Sequence, residues 1–148
     1  MSFQFGLQKV LEVKEHEKSE AESKYSEAMK QFEDVATDLY HLLKKKEDLE
    51  AFYNEKIQSG TSISAIQQTQ QTISHLQKEI DKLQLETQRA RSRMNDQEQF
   101  LMFKSIDVKK YEKMKERKHQ RYIQLEKEKE SKFLDEISVQ QFLKHEIR

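Results

Sequence analysis

Residue types able to do chemistry are plentiful in this sequence, but their spacing does not assemble a catalytic site. Five histidines stand at His16, His41, His75, His119 and His145, and none lies four residues from another. The His-Glu-x-x-His pattern, which puts two imidazoles on one helical face, is absent, so no metal site is expected. The only glycines are Gly6 and Gly60, too few for the glycine-rich loop that cradles phosphate. Cysteine is absent, which excludes thiolate chemistry and disulfides and fits a reducing compartment. Carboxylates are abundant, but they act as general acids or bases only where a concave pocket shifts their pKa values. The expectation is a protein that is not an enzyme and needs no cofactor.

One charged cluster does suggest binding. Residues 104–121 hold Lys104, Lys109, Lys110, Lys113, Lys115, Arg117, Lys118 and Arg121, with Tyr111 beside them and Tyr122 just after. A basic zipper protein also joins such a helix to heptads, but its basic region precedes the zipper and supplies a base-reading Asn with Arg neighbours. Here the cluster follows the heptads, contains acids and has only two arginines, so an anionic protein surface is the more natural target than nucleic acid. Charge is zero overall yet uneven: residues 1–58 carry 9 basic and 13 acidic side chains, residues 101–148 carry 13 and 9. The two ends of the sequence therefore attract each other, as in a chain folded back on itself.

The elements that position this cluster follow from composition and period. Of 148 residues, 36% are charged and 34% hydrophobic, with no proline. Without Gly and Pro there is little to break a helix or make several turns, so long helices and one reversal are expected. Alternating steps of four and three run through Leu7, Leu11, Lys14, Lys18, Ala21, Tyr25, Ala28, Phe32, Val35, Leu39, Leu42, Lys46, Leu49 and Tyr53. That is a sustained heptad repeat. It stops at Gln58-Ser59-Gly60-Thr61-Ser62, where Gly60 suits a left-handed helix cap and Ser62 or Ser64 can cap the next helix. A second repeat runs through Ile66, Thr69, Ile73, Leu76, Ile80, Leu83, Thr87, Ala90, Met94, Gln97, Leu101, Lys104, Val108 and Tyr111, and weakens beyond Lys115.

The predicted fold is all-α: a long antiparallel two-helix coiled-coil hairpin with its turn near Gly60. Its parts are a first helix over 1–58, a turn over 59–64, a second helix over 65–132 and an amphipathic tail over 133–148, expected to order with a partner. The expected core is Leu7, Leu11, Phe32, Val35, Leu39, Leu42, Leu49, Ile73, Leu76, Ile80, Leu83, Leu101, Val108 and Tyr111. Folding about Gly60 sets Glu12, Glu15, Glu17, Glu20 and Glu22 across from Lys104, Lys109, Lys110 and Lys113. Seam lysines at Lys14, Lys18 and Lys46 disfavour a tightly zipped oligomer, so a monomer is expected. No apolar run is long enough for a membrane span or signal core.

Several segments, taken in order, resemble the flagellar FliJ family. They are Phe5-Gly6-Leu7-Gln8-Lys9-Val10-Leu11, the pair Gln70-Gln71 running into Ile73, Leu76 and Ile80, the stretch Val108-Lys109-Lys110-Tyr111-Glu112-Lys113, and Leu134-Asp135-Glu136-Ile137. The resemblance implies a coiled-coil stalk of the flagellar type III export apparatus, at the cytoplasmic face of the membrane. It implies docking into the hexameric export ATPase FliI, linkage to the export gate protein FlhA and escort of export chaperones. Lys109, Lys110, Lys113, Arg117, Lys118 and Arg121 are the expected ATPase contacts. Gln70, Gln71, Ile73 and Leu76 are the expected gate contacts. The alternative is a structural scaffold coiled coil.

Overall fold

A computed structural model describes residues 2–147, with the side chain of Ile147 left aside. Two helices account for nearly all of them: α1, Gln8–Ser59, and α2, Ile63–Ile147. Gly60 is the only described residue with a positive φ, at 88°, the left-handed conformation in which a side chain would be strained. Ser62 then caps α2: its Oγ accepts from the Ala65 amide at 3.2 Å, and its carbonyl accepts from Ile66 at 3.1 Å. The chain therefore reverses within residues 60–62, shorter than the expected 59–64.

Contacts divide the chain into two units. The first, Ser19–Met102, contains the turn. Within it the two helices run antiparallel and bury Ala21, Ala28, Leu76 and Ile80, each 4% exposed or less. Phe32, Val35, Leu39, Leu42, Leu49, Ile73, Leu83 and Leu101 are half-buried, as expected of a seam with solvent on both flanks. Polar groups bridge the two helices along its edges: Gln70 Nε2 donates to the Tyr53 hydroxyl at 2.8 Å, and Arg93 to Gln31 at 3.1 Å. Lys46, a seam position, donates to Gln77 and lies 3.5 Å from Glu50, so its ammonium is satisfied without leaving the interface.

The second unit comprises Met1–Lys18 and Phe103–Arg148. Its core is Phe5, Leu11 and Val108, with Phe3, Leu7, Tyr111 and Met114 packed against it. Here two expectations are corrected. The first helix does not begin at residue 1: residues 2–7 are non-helical, and the helix opens with the Gln8 amide bonded to the Phe5 carbonyl at 3.1 Å. Gly6 is a poor helix former, and the non-helical arm ahead of it packs Phe5 into the cluster with Leu11 and Val108, with half-buried Phe3 against it. The second helix does not end at 132: α2 continues unbroken to Ile147, so the tail is helical.

Candidate functional site

The basic face of α2 is built from the heptad itself. Lys104, Val108, Tyr111 and Lys115 point inward and are buried or half-buried. Lys109, Lys110, Lys113, Arg117, Lys118 and Arg121 are exposed. Most of these lie between the seam positions, where helical geometry turns a side chain to solvent.

The expected match of acidic and basic arms is seen at Glu17. Lys104 Nζ donates to Glu17 at 3.0 Å, while Lys14 reaches Glu17 at 3.7 Å and Asp107 at 3.9 Å. The Glu17 carboxyl is held below its ordinary value of 4.5, chiefly by the hydrogen bond from Lys104; desolvation opposes this, and the Lys104 and Lys14 charges add to the lowering. Lys109, Lys110 and Lys113, by contrast, meet no carboxylate among the described residues. Nor do Arg117 and Arg121. Lys109, Lys110, Lys113 and Arg117 lie on the far side of α2 from the seam positions Lys104, Val108, Tyr111 and Lys115, and only seam-flanking side chains can reach across a two-helix interface.

Lys118 is the exception among the six, since its ammonium lies 5.6 Å from the centre of the Phe5 ring. Next to it, Phe3 packs on His119 at 4.9 Å and on Tyr122 at 5.7 Å between ring centres. The N-terminal arm thus brackets the end of the basic stretch. Sequence reading missed this arm because Phe3 and Phe5 lie ahead of the heptads. Their spacing of two, just before Gly6, was the available signal for a non-helical segment.

The residues expected to contact an export gate fall differently. Gln70 and Gln71 are exposed, Ile73 is half-buried, and Leu76 is 3% exposed in the seam. A partner can reach the two glutamines but not the Leu76 side chain, which packs between the helices. Gln70 is already bonded to Tyr53.

Among the described residues, no group of three His, Cys, Asp or Glu is placed to hold a metal ion. The cleft lined by Phe3, Phe5, Gln8 and Lys115, about 580 Å³, is an open one beside the helices. No helix of the described residues is long and apolar enough to cross a membrane.

Comparison with known proteins gives consistent matches. The family model described as flagellar FliJ protein matches residues 3–146. A flagellar FliJ protein of Bacillus subtilis (strain 168) is 38% identical over 143 residues, 97% of either chain. A solved YscO homologue of Chlamydia trachomatis, 19% identical, superposes with a TM-score of 0.67 over 99% of each chain, a likeness of fold.

Proposed function

We propose a docking role for this chain, which belongs to the flagellar FliJ family and is therefore a component of the flagellar type III export apparatus. In this reading it is a stalk-like coiled coil at the cytoplasmic face of the membrane that enters the ring of the export ATPase FliI. There it promotes assembly and hydrolysis, and it links the ring to the gate protein FlhA while escorting export chaperones. The observation that carries the reading is the set of exposed cations, Lys109, Lys110, Lys113, Arg117 and Arg121, with no carboxylate partner among the described residues. Exposed cations already satisfied within the hairpin would add little; unpaired ones steer and orient an anionic partner. Acidic loops of the ATPase are the proposed target, and Lys118, held over Phe5, marks the edge of the contact.

The gate contact is assigned to the exposed face at Gln70 and Gln71, with Ile73 and Leu76 supporting it from the seam. The deciding experiment measures ATP hydrolysis by purified FliI with and without this chain, alongside light scattering of the mixture. Faster hydrolysis and a larger species are expected. The variant K109E/K113E/R117E should abolish both while its helicity is unchanged. Stimulation that survives the triple variant would remove this face from the contact. No stimulation by the unaltered chain would leave the scaffold alternative.

A further inference from the structure

The cations are one part of a longer exposed stripe. Phe103 and Ile106 stand just before them on α2, 68% and 59% exposed. Positions 103, 106, 110, 113 and 117 repeat at alternating spacings of three and four, which keeps Phe103, Ile106, Lys110, Lys113 and Arg117 on one helical face. This face is turned away from α1, because the inward positions Lys104, Val108, Tyr111 and Lys115 follow the same alternation half a turn away. Single exposed apolar residues are ordinary. Two large ones a turn apart, continued by three unpaired cations on the same stripe, form a surface of mixed character that suits a protein partner.

We infer that this stripe docks an acidic amphipathic helix of a partner protein. The partner's apolar residues cover Phe103 and Ile106, and its carboxylates meet Lys110, Lys113 and Arg117, with Lys109 at the flank. The alternation of three and four is the spacing that a second helix needs to seat its side chains between those of the first. From Phe103 to Arg117 the stripe is about 21 Å long, the length of roughly four turns. No existing ion pair of Lys110, Lys113 or Arg117 among the described residues has to be broken first. An anionic membrane fits less well: an interfacial helix sinks a broad apolar face with cations around it, whereas here the apolar part is two side chains at one end. The inference deepens the docking reading above, on which it rests, by stating what the partner presents.

The test uses the full chain and a fluorescein-labelled synthetic helical peptide of about four turns. The peptide carries leucines in one terminal turn and glutamates along the same face of the rest. A second peptide of equal composition has its leucines moved to the opposite face. The first should bind, and both F103S/I106S and K110E/K113E should weaken it by about tenfold or more, as fluorescence anisotropy reads it, while circular dichroism stays unchanged. The second peptide should bind about tenfold more weakly than the first. Equal binding of the two peptides, or affinity indifferent to F103S/I106S, overturns the inference. So does co-sedimentation with phosphatidylserine vesicles in place of peptide binding, or a dimer in sedimentation that F103S/I106S dissolves. The docking reading fails separately, by the absence of any FliI stimulation with the unaltered chain.

Discussion

In the unit of residues 19–102, three cations beside or in the seam work within the hairpin: Arg91 lies 5.4 Å over the Phe32 ring, Arg93 meets Gln31, and Lys46 meets Gln77 and Glu50. In the unit of residues 2–18 and 103–147, Lys104 and Lys14 do the same with Glu17 and Asp107, but Lys109, Lys110, Lys113 and Arg117 have no carboxylate partner among the described residues. Both units use one seam pattern. What differs is whether basic residues fall beside the seam, where they can cross to the other helix, or on the far face, where only solvent or a partner can meet them. Position in the heptad, more than the number of charges, separates structural cations from available ones.

This contrast can be broken in order of expected effect. Ile80, 1% exposed, is the most deeply packed large side chain of the first unit. Ile80→Ala should cost about 2–4 kcal/mol in urea unfolding, from lost transfer energy and the cavity left behind. A cost under about 0.5 kcal/mol would mean that this seam contributes little to stability. Phe5, 7% exposed, holds the arm of the second unit. Phe5→Ala should cost about 2 kcal/mol, below the usual range for a core Phe because a terminal arm can readjust. Hydrogen exchange should then speed up in residues 2–7 more than around Ile80, and a uniform change would show that the arm is not a local clamp.

Gly60→Ala comes next. Its added methyl meets nothing within 4 Å, so only the positive φ is penalised, at about 1 kcal/mol. A thermal melt reads this directly, and a neutral result would mean that the turn can relax to another conformation. The triple variant K109E/K113E/R117E should change stability by less than about 0.5 kcal/mol, because its cations touch no other described charge. A large loss would return these residues to a structural role.

The smallest effect concerns pH. The Glu17 carboxyl has a lowered pKa in the folded chain, so its contribution is fully present above the ordinary value of 4.5 and is lost as pH falls from there through the lowered value. In Glu17→Gln the difference in melting temperature between neutral and acidic solution should shrink. An unchanged difference would mean that Lys104 and Glu17 do not interact in solution.

Much of the fold was legible before any coordinates. A single glycine between two heptad repeats locates the reversal, because a left-handed cap there favours glycine and nothing else in the interior breaks the helices. The alternation of four and three names the buried seam as far as Lys115, and the second repeat degrades where the first helix runs out. The site was less legible. The register about Gly60 set Lys109, Lys110 and Lys113 across from the acids of α1, whereas ion pairing depends on which flank each residue occupies. Leu76 reads equally well as core or contact, and packing places it in the core.

Period and composition by themselves determined the helices, their reversal and the residues between them, because each of these follows from local geometry and the need to bury one stripe. Only the tertiary structure decided where the arm of Phe3 and Phe5 packs, which lysines cross to a carboxylate and which stay unpaired. Those outcomes depend on distances between residues far apart in sequence, which no periodicity records.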